Sequence, residues 1–416
     1  MVKLLIIADD LTGAIEAGVQ LSKQKVSSKV ILNTDTEMSS ILNDNKINAV
    51  IINTKSRHLV PAKAANKVNR VIKQAKKSNI KYFYKKTDST LRGNLGAELE
   101  AFIRGTNQLI LPFIPAHPNL KRVTRKGNQY IGETLLHQTA FAKDPLEPVK
   151  SSFIPDILKQ QTDIEICIAD GKEILNSSKS DAENEKIIVF DCESETDYKK
   201  IGDKILQYGW QKAIAGTAGF VKILPQILQL ESSEITYKNL KGPILLINGS
   251  LNNTSLQQVI NANKNGITTF SLSKYLHSDT AETIAYYKHI IRKIKREFET
   301  GNDVIINTSD LNHQVRKHNY NKRHFHSISI QIGLIVSNIL NEIPFKTLCV
   351  FGGDTLTGIL NKIECNSIEP KSEIISGVAL ALIDSRIGKI HLISKPGGYG
   401  KKDVILQIVN HKKSNI

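Results

Sequence analysis

The sequence predicts an α/β protein of two lobes, each a mostly parallel sheet covered by helices. Three observations carry that expectation. At 416 residues the chain exceeds what one core usually supports. Short continuous apolar runs alternate with helix-length segments, as buried parallel strands require. A polar stretch from Glu231 to Lys241, closed by Gly242-Pro243, divides that alternation in two. The expected domains are residues 1–238 and 239–416.

In the first lobe, Leu4–Ala8, Val30–Leu32, Ala49–Ile52, Tyr82–Tyr84 and Leu109–Ile114 read as strands. Leu95, Leu99, Phe102 and Ile103 recur at helical spacing after the fourth, with Gly105 as the expected stop. A proline-dotted, less regular stretch runs from Pro112 to Pro155. Ile187–Phe190 and Ala213–Ala215 then resume the strand pattern. In the second lobe the strands are Pro243–Ile247, Val304–Ile306, Thr347–Phe351 and Lys389–Ile393, with a helix over Thr283–Phe298.

Composition narrows the function classes. A hydrophobic fraction of 40% and a charged fraction of 23% describe an ordinary globular protein. The apolar run at the amino terminus is too short for a signal peptide, and no run approaches membrane-spanning length. The expected location is therefore the cytoplasm, with no membrane partner. Cys167, Cys192, Cys349 and Cys365 are scattered, without metal-ligand spacing, and read as reduced thiols. The net charge of +16 invites a nucleic-acid reading, best supported by the basic segment His313–His326. The excess is mostly lysine spread along the chain, and no nucleic-acid motif accompanies it. No nucleic-acid partner is expected.

Chemistry gathers at the strand ends. The stretch Lys85-Lys86-Thr87-Asp88-Ser89-Thr90-Leu91-Arg92-Gly93-Asn94 follows the fourth strand, where open α/β sheets bind ligands. The first strand ends in Asp9-Asp10-Leu11-Thr12-Gly13, adjacent carboxylates suited to metal binding, hydroxyl recognition or general base work. Asn53-Thr54-Lys55-Ser56-Arg57-His58 ends the third strand, and Lys121-Arg122 follows the fifth. Arginine forks, hydroxyls and carboxylates at successive strand ends suit a small, hydroxyl-rich anion. In the second lobe, Asn248-Gly249-Ser250, Gly352-Gly353-Asp354-Thr355 and Gly397-Gly398-Tyr399-Gly400 each follow a strand. Glycines there let backbone amides approach phosphate. Neither a P-loop nor the usual dinucleotide fingerprint occurs.

With these motifs in order and at these spacings, the chain resembles the four-carbon acid sugar kinases, which act on threonate, erythronate and 3-oxo-tetronate. The likeness runs nearly end to end and includes Asp144-Pro145. It implies an ATP-dependent kinase that phosphorylates the terminal 4-hydroxyl, with Mg²⁺. The N-terminal lobe would hold the acid, the C-terminal lobe ATP, and the cleft between them the reaction. Asp10, Asp88 and Arg92 become the candidate catalytic residues. Asp9, Thr12, Ser56, Arg57, Lys86, Ser89 and Arg122 become substrate-binding candidates. Ser250, Gly352, Gly353, Asp354, Thr355, Gly397, Gly398 and Gly400 occupy nucleotide-binding positions. Lys121 replaces a family glycine, Asp354 a glutamate and Leu251 a cysteine; Pro396 and Gly398 replace serine and asparagine. Two rival readings stand beside this one: an isomerase or aldolase of sugar acids, and a non-catalytic sensor of sugar acid or nucleotide. Which aspartate is the base, which acid is used, and whether the chain forms a homo-oligomer are left open.

Overall fold

The computed structural model describes residues 2–32, 41–44, 46–144, 147–169, 184–232, 240, 242–272, 281–308, 322–343 and 345–414. They fall into two units, Met1–Ile235 and Thr236–Ile416. The boundary expected at 238/239 and most of the basic segment from His313 lie outside the described residues.

The first unit is laid down as β1 (Leu4–Ala8), α1 (Leu11–Lys23), β2 (Ser28–Ile31), β3 (Ala49–Asn53), α2 (Pro61–Ala75), β4 (Tyr82–Lys86), α3 (Leu95–Thr106) and β5 (Ile110–Ile114). A small hairpin sheet follows, β6 (Arg122–Arg125), β7 (Asn128–Ile131) and β8 (Thr134–Leu135). Then come α4 (Ile154–Lys159), β9 (Glu165–Ala169), β10 (Lys186–Phe190), α5 (Glu195–Gln207), β11 (Ala213–Gly216), α6 (Ala218–Val221) and α7 (Leu224–Ile227).

The main sheet of this unit is parallel throughout, in the order β2-β3-β1-β4-β11-β5-β10-β9. From β1 the chain moves outward to β2 and β3, then crosses to β4 on the other side. That reversal leaves a crevice at the carboxyl ends of β3, β1 and β4, the topological switch point where such sheets bind ligands. Every residue of β1 and β3 is buried, which explains their unbroken apolar runs. Leu5, Ile7, Val50, Ile52 and Phe83 pack one face against Val68, Val71 and Ile72 of α2 and Leu99 and Phe102 of α3.

In the second unit the elements are β12 (Ile244–Asn248), α8 (Asn253–Lys264), β13 (Thr268–Ser271), α9 (Ala281–Glu299), β14 (Val304–Asn307) and α10 (Lys322–Glu342). They continue as β15 (Thr347–Phe351), α11 (Gly353–Lys362), β16 (Ser367–Ile375), β17 (Val378–Ser385), β18 (Gly388–Lys395) and α12 (Val404–Ser414). Strands β13-β14-β12-β15-β18 are parallel; β17 and β16 extend the sheet as an antiparallel meander. The first strand again lies centrally, so a second switch point forms at the carboxyl ends of β14, β12 and β15.

Two local features depart from expectation. Helix α3 runs through Gly105 and ends at Asn107, which takes the left-handed conformation (φ 53°). Gly105 serves packing instead, because a side chain there would press on Ile72 of α2. The proline-dotted stretch hides the β6–β7 hairpin, turned by Lys126 (φ 47°) and Gly127 (φ 70°). Two consecutive positive φ values are what a two-residue hairpin needs to match strand twist.

Lys121, which the resemblance expects to be glycine, is left-handed at φ 55°, with an exposed side chain. A β-carbon costs about 1–2 kcal/mol in that region, offset in part by the chain entropy that glycine loses on folding. Lys121→Gly should therefore stabilise the first unit by about 0.5–1 kcal/mol. The chain's one tryptophan, Trp210, lies in that unit, so urea unfolding followed by its fluorescence reads the change directly. An unchanged or lowered midpoint would contradict the strain.

Candidate active site

At the end of β1, Asp10 caps α1, its Oδ1 accepting from the Gly13 amide at 3.1 Å. The same oxygen faces Arg57 Nη2 at 2.8 Å and Lys86 Nζ at 3.5 Å. Asp9 Oδ2 accepts from Arg57 Nε at 2.6 Å. Burial alone would raise the Asp9 carboxyl, but Arg57, Lys86 and Lys85 outweigh it and hold it at about 2. Adjacent carboxylates repel; here two cations lie between them. Gly13 makes this geometry feasible, since any β-carbon on it would collide with the Lys86 ammonium.

The β4 loop brings a second cluster. Asp88 Oδ2 accepts from Thr90 Oγ1 at 2.6 Å and from Arg92 Nε at 2.7 Å, while its Oδ1 faces Arg92 Nη2 at 3.4 Å. Burial opposes ionisation of Asp88, yet Arg92 and Arg57 hold it well below the usual carboxylate range. Arg92 also reaches Asp144 Oδ2 at 3.1 Å. The Arg92 and Arg122 guanidiniums lie 5.4 and 5.8 Å from the Phe141 ring, close enough for cation–π attraction. Arg122 donates to the Ser89 hydroxyl.

Behind these loops sits a layer that holds them. Lys85 pairs in register with Ile7 and so faces α3, where its ammonium meets Glu98 Oε2 at 2.9 Å. Glu98 also accepts from Ser56, and Ser56 contacts Thr54 Oγ1 at 2.6 Å. Ser56, expected to touch substrate, is fully buried in this network and supports the loop instead. Asn94 Nδ2 ties the β3 loop down by donating to the carbonyls of Ser56, Arg57 and Leu59. Thr12 is half-buried in the first turn of α1.

Asp9 Oδ1, Asn53 Nδ2 and Thr87 Oγ1 are buried polar atoms at these strand ends without a hydrogen-bond partner among the described residues. Buried polar groups are normally satisfied, and these lie at the carboxyl ends of β1, β3 and β4, around a switch point where such sheets bind ligands. Asn53 and Thr87 were not anticipated as ligand contacts.

In the second unit the expected residues also come together. Gly352 turns the chain at φ 107° into α11, whose first turn contains Gly353, Asp354 and Thr355 and whose end lacks a side-chain cap. The amides of these three residues donate to no acceptor among the described residues. Ser250 packs so closely beneath Gly397 that a side chain there would displace its hydroxyl, and Gly249 meets Thr355 in the same way. Gly398 lies over Asn252, and Gly400 is left-handed at φ 89°. Lys395 and Gln258, not anticipated as site residues, donate to the carbonyls of this glycine loop.

Among the described residues no cluster of three His, Cys, Asp or Glu side chains is arranged to hold a metal ion, and no helix is long and apolar enough to cross a membrane. The four cysteines are free thiols.

Comparison with known proteins agrees with this division of chemistry. Residues 4–224 match the model of a sugar-binding N-terminal domain, and residues 245–405 that of a nucleotide-binding C-terminal domain. A D-threonate kinase of Salmonella typhimurium is 27% identical over 97% of this chain and 96% of its own length. A D-erythronate kinase of Heliobacterium modesticaldum is 23% identical over 100% and 98%. A solved Salmonella typhimurium LT2 structure shares the fold with a TM-score of 0.79 at 19% identity, covering 98% of this chain and 99% of the other. With both domains matched in order around two switch-point sites, the chain belongs to the four-carbon acid sugar kinase family.

Proposed function

We propose that this protein transfers the γ-phosphoryl group of ATP to the terminal 4-hydroxyl of a four-carbon acid sugar such as threonate, erythronate or a 3-oxo-tetronate. The observation that carries the reading is the Asp9–Arg57–Asp10–Lys86 cluster at a switch point, beside buried polar atoms that lack hydrogen-bond partners among the described residues. A small hydroxy acid supplies both the carboxylate and the hydroxyls that such a surface recognises.

The different surroundings of Asp10 and Asp88 support different roles for them. Asp88 has both oxygens engaged by Arg92 and one also by Thr90, so it serves as the anchor that aims Arg92. Asp10 commits Oδ1 to Gly13, Arg57 and Lys86 and keeps a quarter of its side chain exposed. Its Oδ2 is then the acceptor for the 4-hydroxyl proton as that oxygen bonds to phosphorus and ADP departs. Arg57 and Lys86 hold Asp10 in place, and Lys86 would offset negative charge on the transferring phosphoryl group. Arg92 and Arg122, side by side at Phe141, take the substrate carboxylate.

In the second unit, the free amides of α11 and of the glycine loop suit the phosphates of ATP. Mg²⁺ usually keeps several waters and takes one or two carboxylates besides phosphate oxygens, so the exposed Asp354 at this helix end fits it. When bound, the ion would neutralise phosphate charge. The rival isomerase and sensor readings leave this pairing of a carboxylate-bearing acid site with an amide-rich phosphate site unexplained.

ADP release coupled to a spectrophotometric readout, over D- and L-threonate, erythronate and 3-oxo-tetronates, tests the reading. ATP-independent turnover, or no ADP with any of them, would remove it. Asp10→Asn should lose about 10²–10⁴-fold in kcat with little change in KM. Asp88→Asn should instead raise KM for the acid, because it frees Arg92; a matching collapse of kcat in Asp88→Asn alone would reverse the assignment. Gly13→Ala should expel the Lys86 ammonium and abolish most turnover while the protein stays folded by circular dichroism. Normal rates in that variant would show that Lys86 is not needed where it sits.

A further inference from the structure

Lys395 ends β18, but its side chain turns back into the second unit and is 1% exposed. Its ammonium donates to the carbonyls of Pro396 at 2.8 Å, Gly397 at 3.1 Å and Tyr399 at 2.8 Å, and lies 3.5 Å from Ser255 Oγ. It also stands 4.3 Å from the centre of the Phe351 ring. Gln258, on the same helix as Ser255, donates to the carbonyls of Tyr399, Gly400 and Lys401 at 2.9, 3.0 and 3.0 Å. The loop is thus gripped by its carbonyl oxygens. The amides of Gly397, Gly398 and Gly400 donate to no acceptor among the described residues. No carboxylate pairs with Lys395 among those residues, which is unusual for so buried a cation.

We propose that Lys395 is a positioning residue for the phosphate donor: by drawing the loop's carbonyls inward it presents the glycine amides as an anion nest, and the incoming phosphates supply its missing counter-charge. A nest of successive N–H groups makes an anion-binding concavity, and engaging the loop's carbonyls on the opposite side keeps those N–H groups turned outward. An ordinary structural lysine would be paired with an acid, and this one is held by neutral groups alone. Burial pulls its pKa down to about 7, which agrees with a cation lacking a permanent partner.

This inference rests on the kinase reading, and one set of measurements separates the two. Calorimetric titration of ATP and ADP, with steady-state kinetics for both substrates, would be run on the wild-type protein, Lys395→Met and Lys395→Gln. The expected result is a KM for ATP and a Kd for ADP raised about tenfold or more in Lys395→Met, with KM for the acid unchanged. Lys395→Gln, which keeps a donor without the charge, should fall between. Lys395→Met also leaves the carbonyls of Pro396, Gly397 and Tyr399 without a donor, so its melting temperature should fall, while the rise in melting temperature that added ATP gives the wild type should be lost. A purely structural lysine would lower the melting temperature and leave nucleotide affinity unchanged in the folded variants, or weaken acid and nucleotide alike, and either outcome overturns the inference. Wild-type protein that binds neither nucleotide would sink the kinase reading itself.

Discussion

Two adjacent buried lysines at the end of β4 organise the first unit. Lys85 and Lys86 point to opposite faces of the sheet, because side chains alternate along a strand. A buried ammonium is costly unless paired, so each lysine dictates what must pack on its face. On one face Glu98 of α3 answers Lys85, and through Ser56 the same carboxylate fixes the β3 loop. On the other, Asp9 and Asp10 answer Lys86, and Gly13 of α1 leaves it room. Arg57 can then lie between the two aspartates because Asn94 holds its backbone. Loops from three strands are locked together by charges that cannot be left alone.

The unbroken apolar strands were legible in the sequence, because a strand covered on both faces has little choice of residue. Several strands that escaped notice are freed from that demand, although the mostly buried β17 escaped as well. β13 is only half-buried along its length, and β9 lies at the sheet edge with half-buried residues before Ala169. β16 carries Pro370, two glutamates and a lysine, and its pairing with β17 shifts register twice, so its pattern reads as a loop. Residue types around the site could be read from sequence, but their roles could not. Ser56 and Ser89 look alike in a strand-end motif, yet one is buried against Glu98 and the other meets Arg122. Glu98 is indistinguishable from any other helix acid until its helix is packed. Lys395 and Gln258 act through backbone carbonyls, which no side-chain pattern announces.

The two units share a topology and use it differently. Each places its first strand in the middle of a parallel sheet and opens a crevice at that strand's carboxyl end. In the first, side-chain charges line the crevice; in the second, backbone amides do. On the proposed reading the difference follows from the ligands. A four-carbon acid is defined by the directions of its hydroxyls, and only placed side chains can read directions. Phosphate groups present equivalent oxygens on every nucleotide, and a helix end with a glycine loop suffices for them.

That distinction bears on the substitutions at the glycine loop. Pro396 and Gly398 stand where the resemblance leads one to expect serine and asparagine, and side-chain readers would be harmed by such changes. Here the grip is on main-chain oxygens. Proline lacks an N–H but keeps its carbonyl, and that carbonyl is what Lys395 takes. Gly398 is the one residue from 396 to 401 whose carbonyl neither Lys395 nor Gln258 engages, so its side chain can change without loosening the loop. On the proposed reading, a phosphate site built from backbone would tolerate substitution at its visible glycine motif and depend on the buried cation beneath it.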